Sequence, residues 1–294
     1  MNLRAVLWLL GRVLLVLAAF QLVPVVIALY ARDPASALAF VSSAVISASL
    51  GGLLCFRNQR ATLNAEGRPD FFRREGLAAV GLAWVALPIL GALPYLLSGQ
   101  IASPVDALFE ASSGFTTTGA SILRPAEIDA LPMAVGFYRN FTNWLGGIGI
   151  VLVFVLLFPT GGRSLYRSEV AGVSREATAS RVRDSVLVLV KIYCILTTAV
   201  ALALVLAGLS AYEALVHSFS TVATGGFSTH GASIAYFDSW LVELIVVIGM
   251  FVSGMSFGWF EPFLRGRWRL GLRQMYRSSE LRLYVALCLG LVSV

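Results

Sequence analysis

Two stretches of the chain carry residue types that can do chemistry at a fixed spacing. Gly-Phe-Thr-Thr-Thr-Gly-Ala-Ser (114–121) and Thr-Val-Ala-Thr-Gly-Gly-Phe-Ser (221–228) lie 107 residues apart. Thr and Gly in a strand-like turn can point consecutive carbonyls toward one axis. Glycine is needed where such a turn visits angles that a Cβ resists. A file of carbonyls replaces the water around a dehydrated monovalent cation, with no charged side chain required. The same ungapped offset makes Ser103/Ser210, Ala107/Ala214, Leu108/Leu215, Ser113/Ser220, Thr117/Thr224, Gly119/Gly226 and Ser121/Ser228 identical, pairs Asp106 with Glu213, and pairs Gly147 with Gly254. Repetition at fixed spacing marks a repeated architecture.

Each turn follows what reads as a short helix. Ser103 and Ser210 are expected N-caps, each with an acid three residues on that faces free N–H groups. Pro104 suits the first helical position. The helices are expected to end near Phe115 and Val222. Entering from outside, such a helix aims its partly negative carbonyl end into the membrane. Non-helical backbone at that depth is tolerated only where it is buried or lines a water cavity.

The elements that must position these turns are membrane spans. Of 294 residues, 58% are hydrophobic and 13% charged, against about 25% charged in soluble domains. Apolar runs cover 3–30, 35–56, 76–97, 132–158, 182–209 and 240–263, with a last run at 281–294. All but the last have the length of a transmembrane helix. The first is too long for a signal-peptide core and lacks a cleavage site. Arginine is concentrated between alternate spans: five in 57–74, five in 163–183 and six in 265–282. The opposite connections hold only Arg32 and Arg124. This asymmetry places the N-terminus and the Arg-rich loops in the cytoplasm. Cys55, Cys194 and Cys288 show no metal-ligand spacing and read as small core residues.

The expected fold class is an all-α polytopic membrane protein: two leading helices plus two helix–pore-loop–helix repeats, truncated at the start of a third. The divisions are 1–57 for the two leading transmembrane helices, 76–158 for the first repeat and 182–263 for the second. A cytoplasmic Arg-rich linker and the start of a third repeat occupy 264–294. Each unit makes two crossings, so both face the same way, related by an axis along the membrane normal.

FEASSGFTTTGAS (109–121), NWLGGIGI (143–150) and STVATGGFSTHGAS (220–233) resemble the TrkH/KtrB superfamily of potassium transporters. The resemblance implies channel-like K⁺ uptake across the bacterial inner membrane through a backbone-carbonyl selectivity filter, without a cofactor. It implies four units around one pore, a homodimer, and a cytosolic ring of nucleotide-binding regulatory subunits. Carried over by position, the filter falls on Thr117, Thr118, Gly119, Ala120 and Ser121, and on Thr224, Gly225, Gly226, Phe227 and Ser228. The carbonyls of Thr117, Thr118, Gly119, Thr224, Gly225 and Gly226 are the implied K⁺ ligands. In that family Gly at the position of Gly119 goes with K⁺ preference, and Ser in the first unit with Na⁺. The family's gating loop belongs to a third unit and a pore-facing Arg to a fourth; neither has a place in this sequence.

Other polar residues carry subsidiary expectations. Glu110 and His217 occupy equivalent positions; bracing of the short helix by a hydrogen bond is the expected role, with tuning of cation entry as the alternative for Glu110. His230 is expected to be solvated at the outer mouth. Arg139 and Glu243 either pair with each other or snorkel to the interface, and Lys191 snorkels. Gly146, Gly147, Gly149, Gly249, Gly254 and Gly258 read as close helix-packing positions, with a helix bend as the sharper alternative. A membrane enzyme is disfavoured, because no Ser/His pair sits at mid-membrane depth in separate spans and no H-E-x-x-H motif is present. The alternatives to K⁺ uptake are a Na⁺ or mixed-cation pathway, or a non-conducting fragment that completes a filter only with a second chain.

Overall fold

The computed structural model describes residues 1–58, 73–157, 175–264 and 266–292. The sequence readings at Arg60, Arg68, Arg163, Arg167 and Arg265 lie outside the described residues. All regular structure among the described residues is helical.

The first apolar run is a broken helix, α1 (Leu3–Gln21) and α2 (Val23–Tyr30), with Pro24 at the start of the second piece. It is followed by α3 (Pro34–Asn58), which begins where Asp33 Oδ1 accepts the Ser36 N–H at 3.1 Å. α1 and α3 cross at two glycines. A Cβ on Gly11 would stand 2.7 Å from the Gly51 carbonyl oxygen, and one on Gly51 would stand 2.7 Å from that of Gly11. Small residues at a crossing let helix backbones approach closely.

The first unit opens with α4 (Arg73–Gly91) and α5 (Leu93–Leu97), again split beside a proline, Pro94. Proline lacks the N–H that would serve the carbonyl four residues back. That carbonyl, Leu90 O, accepts instead from Gln21 Nε2 at 3.0 Å, and the neighbouring Gly91 O accepts from Tyr138 Oη at 3.0 Å. Gln21 is fully buried and also accepts from Ser47 Oγ at 2.9 Å. The leading hairpin is thereby tied to the first unit. The unit continues with the short helix α6 (Pro104–Phe115), a surface turn α7 (Pro125–Asp129) and the long α8 (Met133–Leu157).

The second unit repeats the order with α9 (Arg175–Leu206), α10 (Ala211–Val222), a 3₁₀ turn at Ser233–Phe237 and α11 (Trp240–Ser253). The last apolar run of this unit, expected to continue to 263, leaves the α-helix at Ser253. It passes through a 3₁₀ turn (Phe257–Phe260) and α12 (Glu261–Leu264) into α13 (Trp268–Arg277) and α14 (Ser279–Val292). The change begins where Tyr284 Oη donates to Phe251 O at 3.2 Å. The Met255 N–H, which an α-helix would send to that carbonyl, bonds Val252 O at 3.2 Å instead. Gly254, Ser256 and Gly258 do little to hold the helix together.

Among the described residues, four helices are long and apolar enough to cross a membrane: Leu3–Tyr30, Pro34–Asn58, Arg74–Leu97 and Leu187–Leu206. At 25 residues α8 has the same reach. Their outward faces carry large apolar side chains such as Val26, Leu38, Val85, Ile89 and Leu202, all more than half exposed. A continuous apolar exterior of this kind belongs against lipid. The chain is a multi-pass membrane protein. The cysteines are not core residues: Cys194 is exposed, and Cys55 and Cys288 are half-buried.

An aromatic seam joins the two units. Phe137, Phe141 and Trp144 of α8 pack on Phe219 of α10 with ring centroids 5.5–5.8 Å apart. Tyr193 of α9 donates to Trp144 O at 3.1 Å, and a Cβ on Gly147 would overlap its hydroxyl. The contact recurs one unit on. Tyr284 of α14 donates to Phe251 O at 3.2 Å beside Gly254, and both Phe251 and Gly254 stand 107 residues beyond their counterparts.

Candidate ion-selectivity site

The two short helices begin and end as the sequence predicts. Ser103 Oγ accepts the Asp106 N–H at 3.4 Å, and Ser210 Oγ accepts the Glu213 N–H at 3.2 Å. At the far end α6 closes with Thr117 N–H on Gly114 O at 3.0 Å and Thr118 N–H on Ser113 O at 2.9 Å. α10 closes with Thr224 N–H on Thr221 O at 3.1 Å and Gly225 N–H on Ser220 O at 2.9 Å. Every donor and acceptor is displaced by the same 107 residues. This is a Schellman closure, whose left-handed residue is usually Gly. Here it is Thr117 at φ 56° and Thr224 at φ 52°, a conformation rarely adopted by a β-branched residue. Two residues later Gly119 and Gly226 also have positive φ, 72° and 101°.

This alternation turns the chain away from any helix or strand. Among the described residues, the carbonyls of 117–120 and 224–227 accept no hydrogen bond from the protein. Thr118, Ala120, Thr224 and Gly226 are exposed. The segments also abut. A Cβ on Gly119 would overlap the carbonyl oxygen of Gly225, so the first turn fits the second only with glycine there.

Behind the turns is a repeated bracing network. In the first unit the Leu123 N–H donates to Ser121 Oγ at 3.1 Å, and Ser121 Oγ donates to Glu110 Oε1 at 3.0 Å. In the second the His230 N–H donates to Ser228 Oγ at 3.1 Å, and Ser228 Oγ lies 2.9 Å from His217 Nε2. The His217 tautomer follows from its other contact. Nδ1 is 2.8 Å from Glu213 O, which can only accept, and 3.3 Å from Glu213 Oε2, so Nδ1 carries a proton; in the neutral ring Nε2 accepts from Ser228. The equivalent positions 110 and 217 therefore each place a buried polar group on the serine after the turn, one a carboxylate and one an imidazole. Both residues make hydrogen bonds as expected, and the group each one braces is the serine that follows its turn.

α8 lies against both turns with a polar stripe of Arg139, Asn140, Thr142 and Asn143, all buried. Arg139 Nε donates to Glu110 Oε1 at 2.6 Å, and the side chains are 1% and 0% exposed. Arg139 Nη1 donates to Ser228 O at 2.9 Å, and its Cζ lies 4.1 Å from the Phe227 ring centroid. Asn140 Oδ1 accepts from Ser220 Oγ at 2.7 Å. The Asn143 carboxamide occupies the place where a Cβ on Gly225 would go. The pairing expected of Arg139 with Glu243 does not form, nor does Arg139 snorkel. Glu243 is exposed in the first turn of α11, while α8 turns Arg139 inward against α6. The polar run 139–143 in an otherwise apolar helix was the signal for this inward face.

His230 departs from the solvated position expected of it. It is half-buried, stacked on Tyr236 at 3.6 Å between centroids, with Nε2 3.3 Å from Glu213 Oε1. Most of the glycines act as close-packing positions. A Cβ on Gly146 would overlap Phe115 O, one on Gly147 the Tyr193 hydroxyl, and one on Gly254 would stand 2.5 Å from the Tyr284 hydroxyl.

The model of the TrkH family, described as a cation transport protein, matches residues 38–284. The Trk system potassium uptake protein TrkH of Salmonella typhimurium is 36% identical across 100% of this chain and 59% of its own length. That of Halomonas elongata is 38% identical across 100% of this chain and 60% of its own. The crystal structure of the potassium transporter TrkH from Vibrio parahaemolyticus superposes with a TM-score of 0.82 at 33% identity, covering 97% of this chain and 56% of that one. The chain thus spans about three fifths of the length of the curated relatives it matches. The fold, the repeated units and these likenesses agree, and the chain belongs to the TrkH family of cation transport proteins.

Proposed function

We propose that the protein takes up potassium through a channel-like pathway, and that 117–121 and 224–228 are two segments of its selectivity filter. Thr117, Thr118, Gly119, Thr224, Gly225 and Gly226 present their backbone carbonyls to K⁺; Ala120, Ser121, Phe227 and Ser228 complete the segments. The carrying observation is the run of unpartnered carbonyls that recurs in both units, set by the same left-handed Thr and positive-φ Gly. K⁺ holds its water less tightly than Na⁺, so an open carbonyl site replaces its shell at lower cost. The names of the relatives, potassium uptake proteins, point the same way.

The reading extends to a bacterial inner-membrane location with a cytoplasmic N-terminus, a homodimer, and a cytosolic nucleotide-binding regulatory ring. The exposed arginines 267, 269, 273 and 277 on and beside α13 suit a cytoplasmic surface.

The test is growth of a K⁺-uptake-deficient host at low K⁺, with Rb⁺ uptake measured against Na⁺ as competitor. The complete reading frame is expected to restore growth and to prefer Rb⁺. A carbonyl filter needs about four contributors, so these 294 residues expressed alone are expected not to restore growth. Equal competition by Na⁺ would favour the mixed-cation reading. Rescue by the 294 residues alone would mean either that two units suffice or that two chains pair into one filter.

A further inference from the structure

Arg139 heads the fully buried side chains by volume, yet a carbonyl site has no use for a guanidinium, and the second unit has Val246 in its place. Burying an ion costs several kcal/mol unless it is paired and hydrogen-bonded. Here one side chain is compensated from both units at once. Glu110 takes its Nε–H at 2.6 Å, Ser228 O takes its Nη1–H at 2.9 Å, and the Phe227 ring lies 4.1 Å from Cζ. Glu110 also accepts from Ser121 Oγ at 3.0 Å and from the Ile122 N–H at 3.1 Å. The chain of contacts therefore runs Ile122–Ser121–Glu110–Arg139–Ser228–Phe227, from the outer end of one segment to the outer end of the other.

We propose that Arg139 and Glu110 are positioning residues for ion selection that lock the outer ends of the two segments at one separation. By engaging the Ser228 carbonyl, Arg139 holds it out of the ion path, beyond the ligand run of 224–226. Glu110 neutralises the guanidinium, so the field at the segments remains that of the carbonyl dipoles. The inference rests on reading 117–121 and 224–228 as filter segments.

The test is Rb⁺ uptake with Na⁺ as competitor, on protein from the complete reading frame, comparing wild type, R139K, E110Q and the neutral pair E110Q/R139Q. Lysine keeps the charge, but a compact ammonium lacks the planar fork that reaches Glu110 and Ser228 together. R139K is expected to reach the membrane at the wild-type level and to transport, with Rb⁺/Na⁺ discrimination reduced about tenfold, the equivalent of one charge-assisted hydrogen bond. E110Q, which strands a buried cation behind the carbonyls, is expected to lose more uptake than the neutral pair. Wild-type discrimination in R139K overturns the proposal. If R139K does not accumulate in the membrane, the neutral pair decides: reduced discrimination supports the clamp and wild-type discrimination overturns it. A wild-type protein that itself shows no Rb⁺ preference strikes the filter reading and takes this inference with it. Selective wild type beside equally selective variants strikes only the clamp.

Discussion

In the first unit the group behind the turn is a carboxylate, held by a buried arginine; in the second it is an imidazole whose Nδ1 lies 2.8 Å from the Glu213 carbonyl oxygen and 3.3 Å from its carboxylate. The backbones in front of them are nonetheless alike. Both close a short helix with the same pair of hydrogen bonds, both put Thr in the left-handed region, and both follow it two residues later with a positive-φ Gly. The helices behind them differ as much as the acceptors do. At the offset of 107, Arg139, Asn140 and Asn143 of α8 correspond to Val246, Val247 and Met250 of α11. What the repeat preserves is a turn geometry and one acceptor for one serine. The charge arrangement behind it is free to diverge. A buried acceptor can be a carboxylate only where a cation compensates it, and the unit with Glu110 is the one with Arg139.

The strongest way to break this comparison is at the point where the turns touch. Gly119→Ser introduces a Cβ that overlaps the Gly225 carbonyl oxygen, so a change in the first unit displaces a proposed ligand of the second. The φ of 72° adds strain of roughly 1–2 kcal/mol for a residue with a Cβ. Rb⁺ uptake by the complete protein is expected to lose at least about tenfold of its discrimination against Na⁺, the equivalent of about 1.4 kcal/mol. If competition by Na⁺ stayed unchanged while the variant remained folded in the membrane, Gly119 would not belong to the filter.

A smaller effect is expected from changing the acceptor at 217. His217→Gln keeps an acceptor for Ser228 Oγ and is expected to retain uptake within a few-fold, roughly 1 kcal/mol. His217→Leu leaves that hydroxyl without its buried acceptor, at a cost of about 1–3 kcal/mol, and is expected to lower uptake further. His217→Glu copies the first unit without its arginine and is expected to be the worst of the three, because the carboxylate is buried with no cation. Uptake by the Glu variant equal to that of the Gln variant would show that the second unit does not depend on a neutral acceptor.

Features set by near neighbours in the chain were legible in the sequence. The Ser103 and Ser210 caps and the ends of α6 and α10 follow from residues within a turn of each other, and the offset of 107 follows from matching the two stretches. What depended on how helices face one another was not. The sequence places Arg139 and Glu243 in their spans but not on a face, whereas the rotation of α8 decides that Arg139 meets Glu110 and Ser228. The helix ending at Ser253 depends on Tyr284, a residue 31 positions away whose hydroxyl takes a carbonyl of α11. Pro24 and Pro94 were visible as residues, but an apolar run reads as unbroken until a partner for the freed carbonyl is known. Gln21 and Tyr138 are those partners around Pro94. The free carbonyls of the two turns were expected from Gly and Thr, while the left-handed Thr117 and Thr224 were not, since that position ordinarily selects Gly.

The mildest test compares the two serines that the acceptors hold. Ser121→Ala removes one donor from Glu110, but the carboxylate keeps Arg139 at 2.6 Å and the Ile122 N–H at 3.1 Å. Ser228→Ala removes the one hydrogen bond that His217 Nε2 accepts and leaves a buried ring nitrogen without a donor. An acceptor with remaining partners loses about 1 kcal/mol, whereas a buried one left empty loses about 1–3 kcal/mol. The melting temperature of the purified protein in detergent is therefore expected to fall more for Ser228→Ala than for Ser121→Ala. Both are expected to keep more Rb⁺ preference than Gly119→Ser, because neither adds an atom to the turn. A larger fall for Ser121→Ala would mean that the carboxylate network is the more fragile of the two. The first unit would then be held by its serine more than by its arginine, and the contrast between the two units would run the other way.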